Sequence, residues 1–437
     1  MARPLTLLLL ALALALAAGC RGDDEQGPVR FLVFGGPEEL HAYRDVVAAY
    51  REREPDRPVE LVETSDRSDL LARLATSFAA GTPPDMFLVN YRYYGQFAAK
   101  GVLEPVGQHL ADSDAFTEGD FYPQALDAFR WRGRLMCLPQ NVSSLAVYWN
   151  RALFRRYGVP APRPGWSWGD LLVTATRLTR DAAGNLAASS GDPDATGVRP
   201  AVHGLGVEPT IIRIAPFVWS SGGELVDDDT APTRFTLDTP EATAALRAFF
   251  GLRLAGVVPS DEEVEAEDDE SRFAAGRLAM LLSSRRSTTT FRSIDGLDWD
   301  VAPLPVLRKR AGILHSDAYC LARDSNLTDA AWRFVEFALG PEGQRIMAQT
   351  GRTVPSLVEV ARSDAFLDPA QPPQSARVFL DAIPAIRRVP TISTWPEIED
   401  ASAGILENGF YLGTPVEEVV AELDRVTRPL FARGETP

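Results

Sequence analysis

The chain has 437 residues, of which 45% are hydrophobic and 24% are charged, and 60 acidic residues against 44 lysines and arginines give a net charge of −16. This composition is ordinary for a globular protein and excludes wholesale disorder. The length predicts two or three domains. The acidic balance argues against nucleic acid as a partner, because binding phosphates requires a cationic surface.

Residues 1–20 have the pattern of an export signal. An almost unbroken Leu/Ala run follows Arg3 and ends in Ala17-Ala18-Gly19-Cys20. Such a run is typical of a secretory signal peptide and is shorter than the ~20 apolar residues of a membrane span. Its end resembles the bacterial lipobox, in which the cysteine is acylated; the alternative is ordinary cleavage that leaves Cys20 free. Residues 21–28 are then a polar tether, and the mature protein is predicted to hang outside the cytoplasmic membrane, anchored in the lipid bilayer by acylated Cys20.

The predicted location affects the reading of the two other cysteines. Cys137 and Cys320 each lie in a short apolar, strand-like segment. Outside the cytoplasm such a pair can form a disulfide. The sequence favours this disulfide and leaves two buried thiols as the alternative.

Strands and helices alternate through the first part of the chain. Continuous apolar runs predict strands at 29–34, 59–62 and 85–89, and helical spacing predicts helices at 38–53 and 69–80. This order predicts a doubly wound α/β domain, whose ligands bind beyond the carboxyl ends of the strands. The loops 35–38 and 90–94 should therefore meet at one edge of a cleft.

A second α/β region is predicted to begin at 145–149, with helices at 168–179, 239–255 and 270–276 and a surface loop at 181–201. Residues 261–270 contain eight acidic residues. Such a cluster serves a cation site or a solvated helix entry, and the solvated entry is the favoured interpretation.

Several ordered segments then resemble one protein family. They are Ala79-Ala80-Gly81-Thr82-Pro83-Pro84-Asp85-Met86-Phe87, residues 95–105, residues 145–160, Trp166-Ser167-Trp168, residues 273–280 and residues 330–337. They resemble the corresponding segments of the extracellular solute-binding proteins (family 1) of bacterial ABC importers, in their carbohydrate-binding, maltose-binding-protein-like group. The likeness covers roughly residues 29–430.

This resemblance implies a two-lobed periplasmic-binding-protein-like fold (type II). Two doubly wound α/β domains would be joined by a hinge around an interdomain ligand cleft, with residues 28–138 plus 311–361 in the N-terminal lobe and 139–310 plus 362–437 in the C-terminal lobe. It also implies a monomeric substrate-binding lipoprotein that captures a sugar or related polyol and delivers it to an ABC permease, with no cofactor and no metal.

A sugar site needs aromatic platforms and hydrogen-bonding side chains around a cleft. The candidate ligand-binding residues lie in loops predicted to face that cleft, and they are Glu38, Asn90, Tyr91, Arg92, Gln140, Asn141, Ser143, Trp219, Gly223, Ser284, Arg285, Ser316, Asp317, Tyr319 and Trp395. The alternatives are core positions for the two tryptophans, although Pro396 favours a loop at Trp395. Asn90 and Gln140 have turn capping as their alternative, and Arg285 has a surface ion pair.

Enzyme signatures do not emerge from the sequence. The four histidines show no metal-binding spacing, and neither a nucleophile elbow nor a phosphate-binding loop is present. We therefore predict no catalytic residues. A glycosidase that uses two of the many carboxylates stays open as an alternative, as does a lipoprotein sensor or adhesin ectodomain.

Overall fold

The computed structural model describes residues 27–187 and 199–437. The predicted signal peptide, Cys20, most of the tether and the middle of the predicted 181–201 loop lie outside the described residues. In the described part, no helix is both long and apolar enough to cross a membrane.

The strands of the described chain are short and largely buried. They are Val29–Phe34 (β1), Val59–Thr64 (β2), Met86–Asn90 (β3), Leu103–Glu104 (β4), Arg130–Trp131 (β5), Arg134–Leu135 (β6), Cys137–Pro139 (β7), Leu145–Asn150 (β8), Met280–Ser284 (β9), Trp299–Ala302 (β10), Gly312–Ile313 (β11), Asp317–Ala322 (β12) and Ile386–Arg387 (β13).

The helices fall between and after these strands. They are Pro37–Arg53 (α1), Arg67–Ala79 (α2), Tyr91–Ala99 (α3), Gly107–Ala111 (α4), Pro123–Asp127 (α5), Arg151–Arg156 (α6), Trp168–Leu178 (α7), Ile211–Ser221 (α8), Pro240–Leu254 (α9), Asp261–Ala266 (α10), Asp269–Ala274 (α11), Ser287–Arg292 (α12), Thr328–Leu339 (α13), Pro341–Thr350 (α14), Val358–Ala361 (α15), Asp364–Leu367 (α16), Arg377–Ala382 (α17), Trp395–Tyr411 (α18) and Val416–Arg433 (α19).

The first sheet has six strands, in the order β2-β1-β3-β12-β4, with β7 also paired to β12. Strands β1, β2 and β3 are parallel, and β12 runs antiparallel to β3, β4 and β7. Their apolar residues are buried on both faces because helices such as α1, α2 and α13 cover the sheet. We call this sheet with its helices lobe 1.

The second sheet differs from the parallel arrangement that a doubly wound domain would have. Its strands follow the order β10-β8-β9, and both pairings are antiparallel. Parallel contacts are limited to isolated bridges, such as His203 with Leu278. The apolar pattern of a buried strand does not encode its direction, so the sequence could not show this. We call this sheet with its helices, including α8, α9, α18 and α19, lobe 2.

Three chain segments lie side by side between the lobes. Residues 140–143 pair with residues 315–317 on one side and with residues 354–356 on the other. The bridges are Ser143 with His315 and Asn141 with Pro355, and the Val142 amide donates to the Val354 carbonyl at 3.0 Å. The lobes are therefore joined by a hydrogen-bonded, multi-segment hinge.

A disulfide joins Cys137 of β7 to Cys320 of β12. The two residues are register partners in the antiparallel pairing, with their Cα atoms 4.5 Å apart. Of the two alternatives that the sequence left open, the structure has the disulfide.

Helices α18, α10 and α11 bear on two local expectations. The loop predicted at Trp395 is wrong, because Trp395 is the first residue of α18 and Pro396 occupies its first turn, where a helix tolerates proline.

The acidic segment forms α10 and the start of α11, whose first turns hold Asp261, Glu262, Glu263, Asp269 and Glu270. Acidic residues are favourable there because they face the positive end of the helix dipole.

Candidate functional site

The candidate site lies at the carboxyl edge of the parallel strands of lobe 1. Because β1 is flanked by β2 and β3, the loops after all three strands reach the same edge. Each loop leads directly into a helix, at Pro37, Arg67 and Tyr91. The loop after β2 was not among the predicted cleft loops, and it brings Arg67 to the site.

Four of the predicted residues form a polar network where the hinge meets this edge. Asn90 Nδ2 donates to Asp317 Oδ1 at 3.0 Å, and Asp317 donates its amide to Asn141 Oδ1 at 2.9 Å. Ser316 Oγ donates to the Asn141 carbonyl at 2.6 Å. These residues are buried, so the network fixes the crossing segments to β3.

Ser143 is tied to His315 by two backbone hydrogen bonds, of 2.9 and 2.8 Å. The Asn141 Nδ2 group donates to the His315 carbonyl at 2.9 Å. His315 was assigned no role from the sequence, because it is far from the other histidines. The hinge nevertheless places it beside the predicted residues.

Three predicted residues lie beneath the site and pack against the core of lobe 1. Gln140 Nε2 donates to the Tyr43 hydroxyl at 3.3 Å, and the Gln140 carbonyl accepts from Gln344. Tyr319 packs edge-on against Phe31, and the Tyr91 hydroxyl accepts the Val389 amide. Gln140, Tyr91 and Tyr319 are all 0% exposed, so they support the site from below.

Glu38 is exposed, and the neighbouring Glu39 is the carboxylate that faces inward. Glu39 Oε1 lies 2.9 Å from Arg352 Nε, and Arg352 Nη2 lies 3.7 Å from Asp317 Oδ2. Burial works against the charge of Arg352, but Glu39 and its neighbours raise the pKa of its guanidinium above the usual value. Arg352 therefore neutralises two carboxylates of lobe 1.

Arg92 links the two lobes. Its guanidinium contacts the Glu399 carboxylate of α18, and its Nε donates to Asn90 Oδ1 at 3.3 Å. Burial lowers the pKa of Arg92, but Glu399, Tyr93 and Tyr91 together outweigh burial and leave the pKa above its usual value. Trp395 Nε1 donates to the other oxygen of Glu399 at 2.7 Å.

The two predicted stacking aromatics lie in the interior of lobe 2. Trp395 is 0% exposed and packs against Phe235 and Phe431. Trp219 is 1% exposed, with the Arg387 guanidinium 4.8 Å from its ring centre. Gly223 is also buried, and a Cβ there would come 3.0 Å from the Ala242 amide nitrogen. The structure therefore does not bring these three residues to the edge of β1–β3.

Ser284 and Arg285 approach lobe 1 from the end of β9. The Ser284 carbonyl accepts the Tyr148 hydroxyl at 2.8 Å, and Arg285 Nε donates to the Gly351 carbonyl at 3.1 Å. Arg285 is fully buried between the rings of Phe366 and Phe379, which lie 4.9 and 5.2 Å away. Burial lowers the pKa of Arg285 to about 9.

Arginines surround His315 from both lobes. Burial lowers the pKa of His315 well below its usual value, and Arg213, Arg92, Arg67 and Arg286 lower it further. Arg213 and Arg286 come from α8 and from the start of α12, in lobe 2. Arg286 directly follows the predicted residues Ser284 and Arg285, whereas no short-range pattern in the sequence points to Arg213.

Metal binding finds no support in the part of the chain that the structure describes. No three His, Cys, Asp or Glu side chains gather there in a way that could hold a metal ion. The arrangement instead consists of hydrogen-bonding groups and guanidinium groups, which suit an oxygen-rich organic solute.

Comparison with known proteins gives three kinds of match. A family model described as bacterial extracellular solute-binding protein matches residues 36–345. A binding protein of Brucella abortus (strain 2308) is 25% identical over 356 residues, 79% of this chain and 78% of its own length. The maltotriose-binding protein of Pyrococcus abyssi is 25% identical over 331 residues, 74% of this chain and 65% of its own.

Among solved structures, this chain is similar to the ABC substrate-binding protein Lmo0181 from Listeria monocytogenes in complex with cycloalternan. The TM-score is 0.81 at 23% identity, over 92% of this chain and 98% of that one. At this identity the likeness concerns the fold, and it extends over both lobes.

Proposed function

Because the chain belongs to the bacterial extracellular solute-binding protein family, we propose that it captures a sugar or related polyol between its lobes and delivers it to a membrane permease of an ABC importer. Its fold is the two-lobed periplasmic-binding-protein fold, which confirms the predicted fold class. Members of this family are binding proteins, and we propose that this chain likewise catalyses no reaction.

The observation that carries this proposal is the meeting of polar groups from both lobes at one hinge-bounded edge. Arg92 of lobe 1 contacts Glu399 of lobe 2, and Arg285 of lobe 2 donates to the Gly351 carbonyl on the side of lobe 1. Such an arrangement lets a solute contact both lobes at once, so that binding and lobe closure favour each other. The maltotriose-binding relative supports a sugar as the solute.

The lobe boundaries are part of the proposal. We assign residues 28–138 and 311–361 to the N-terminal lobe and residues 139–310 and 362–437 to the C-terminal lobe. The strand membership of the two sheets supports this division, because the six-stranded sheet ends at Pro139 before resuming at Asp317.

Among the fifteen predicted ligand contacts, we assign direct contact to Asn90, Arg92, Ser284 and Asp317. Asn141, Ser143 and Ser316 hold the hinge, and Gln140, Tyr91 and Tyr319 support the site from below. Glu38, Arg285, Trp219, Gly223 and Trp395 receive no ligand role in this proposal.

The binding test uses the purified protein and a broad panel of mono- and oligosaccharides and polyols at millimolar concentration. A ligand that binds the folded state raises the melting temperature by mass action. We expect at least one panel member to do so and to be recovered intact after incubation. A panel without any shift contradicts the sugar-binding proposal, and release of reducing ends identifies a glycosidase instead.

The protein is extracytoplasmic, as its family is. We further propose that it is a monomer anchored in the membrane through acylated Cys20. The lipobox-like sequence before Cys20 supports the anchor. The wild-type protein is expected to incorporate labelled fatty acid and the Cys20→Ala variant is not, and a wild-type protein without bound fatty acid contradicts lipid anchoring.

A further inference from the structure

Two arginines at the site form no ion pair within the described residues. The side chain of Arg67 makes no hydrogen bond or ion pair within the described residues, and its Nε is buried. Its guanidinium instead lies 5.2 Å from the ring centre of Phe34 and 5.3 Å from that of Tyr93. Arg286, from lobe 2, is exposed and likewise forms no ion pair in the part of the chain that the structure describes.

A third arginine is only partly satisfied. Arg213 Nη2 lies 3.1 Å from the Glu208 carboxylate, but Arg213 Nε and Nη1 are buried without a hydrogen-bond partner. The hydroxyl of Thr210, at the N-cap of the same helix, is also buried without a partner. Buried polar groups in native structures are nearly always paired, so orphaned donors at a cleft indicate a missing acceptor.

These cationic groups are close to one another. The ring of Tyr93 lies between Arg67 and Arg92, with guanidinium distances of 5.3 and 5.2 Å. Arg67, Arg92, Arg213 and Arg286 all act on the buried ring nitrogens of His315, whose Nε2 has no partner, and they lower its pKa. Two of these arginines belong to each lobe.

The nearby carboxylates are already engaged by other groups. Asp317 is held by Asn90 and Arg352, Glu39 by Arg352, and Glu399 by Arg92 and Trp395. Asp317 acts electrostatically on Arg67 but forms no ion pair with it, and none of these carboxylates pairs with Arg286 in the described part of the chain. Burying a cation without a counter-charge between closed lobes is costly, and a neutral hydroxyl cannot offset that charge.

The backbone adds to the same electrostatic preference. Helices α1, α2 and α3 all begin at this edge, so their positive dipole ends point towards it. Their first amides are already capped by side chains such as Asp66 and Asn90. The helices therefore contribute a field, and the arginines contribute the contacts.

We propose that the solute captured between the lobes carries an anionic oxygen group, a carboxylate or a phosphate ester on a hydroxylated skeleton, bound by Arg67 from lobe 1 and Arg286 from lobe 2. This inference rests on the proposed solute-binding function. Without the anion the arginines of the two lobes repel each other, and with it they share one counter-charge. Lobe closure is then coupled to the presence of the charged group.

The test compares acidic solutes with their neutral parents by calorimetric titration of the purified protein. The pairs are glucuronate with glucose, galacturonate with galactose, glucose 6-phosphate with glucose, and sn-glycerol 3-phosphate with glycerol. At least one acid is expected to bind tenfold or more tightly than its neutral parent. Comparing the sugar acids with the phosphate esters shows whether the site binds a carboxylate or a phosphate group.

Charge-removing variants show whether the arginines are responsible. Arg286→Gln, at an exposed position that folding does not need, and Arg67→Gln are each expected to weaken binding of the acid tenfold or more and to leave the neutral parent unaffected. Arg134→Gln, an exposed arginine on the β5–β6 hairpin, is the matched control and should change neither affinity.

The possible failures are distinguishable. If no acid binds more tightly than its neutral parent, or if acid binding survives both substitutions, the anionic inference is overturned and the solute-binding function stands. If no member of this panel or of the wider sugar panel binds, both the inference and the proposed function are overturned.

Discussion

At the scale of single residues, Asp269 has an unusual environment. Within the described residues its Oδ1 is buried without a hydrogen-bond partner, and the backbone of Gly206 packs closely against its carboxyl group. Burial raises its pKa to about 7, although Arg272 acts in the opposite direction. Between about pH 4 and pH 7 the folded protein therefore keeps a proton that the unfolded chain releases, so the free energy of unfolding falls as the pH rises through this window.

We predict that Asp269→Asn removes this pH dependence. The wild-type loss between pH 4 and pH 7 is at most ~4 kcal/mol, at 1.36 kcal/mol for each pKa unit. Urea unfolding of both proteins at pH 5, 6, 7 and 8 measures it. The exposed Asp114→Asn serves as control and should keep the wild-type slope. If the unfolding free energy of Asp269→Asn falls with pH as steeply as that of the wild type, Asp269 is not the cause of the pH dependence.

At the scale of secondary-structure elements, one cross-link joins strands far apart in the chain. The disulfide between β7 and β12 closes a sequence separation of 183 residues. A cross-link over a long loop restricts the unfolded chain strongly and stabilises the folded state in the chain-entropy model.

We predict that the double variant Cys137→Ser, Cys320→Ser loses about 2–5 kcal/mol of unfolding free energy. Thermal unfolding with and without dithiothreitol measures the effect. Reductant should lower the melting temperature of the wild type and leave the variant unchanged. Equal melting temperatures of oxidised and reduced wild type would show that the cross-link contributes nothing.

Helices α3 and α18 meet across the lobes through Arg92 and Glu399, whose side chains are 6% and 13% exposed. Removing one partner of a buried pair leaves the other charge uncompensated, at a cost of about 3–5 kcal/mol. We therefore predict that Arg92→Met is strongly destabilising and that adding Glu399→Gln recovers part of the loss. A double-mutant cycle by chemical unfolding measures the coupling, and additive effects of the two substitutions contradict it.

Strands β1, β2 and β3 were predictable to within two residues, because an apolar run long enough for a buried strand has few other interpretations. The pairing of β12 between β3 and β4 was not, since 227 residues separate Asn90 from Asp317. Trp395 was misplaced because proline marks both loops and helix starts.

For the site, the sequence revealed the residues that follow β3 and those of the crossing segments. Arg67 could have been found by applying the strand-end argument to β2 as well. Arg286 could have been found by extending the strand-end argument at β9 by one residue. Arg213 could not, because its approach to His315 depends on how lobe 2 packs on lobe 1.

At the scale of the whole molecule, the hinge joins two lobes that each bring two arginines close to His315. We predict that the ligand-free protein is on average more open than the ligand-bound one. Small-angle X-ray scattering should show a smaller radius of gyration when the best ligand of the panels is saturating. An unchanged radius contradicts ligand-linked closure.

The cross-link between Cys137 and Cys320 has a mechanical consequence. Gln140 follows the first cysteine by three residues, and Asp317 precedes the second by three. The disulfide therefore holds β7 and β12 together in the sheet of lobe 1 up to the residues where the chain leaves that sheet. The backbone rotations that open and close the lobes must then be concentrated in hinge residues 140–143 and 314–316. Lobe 1 is then the rigid body, and lobe 2 rotates relative to it about the hinge.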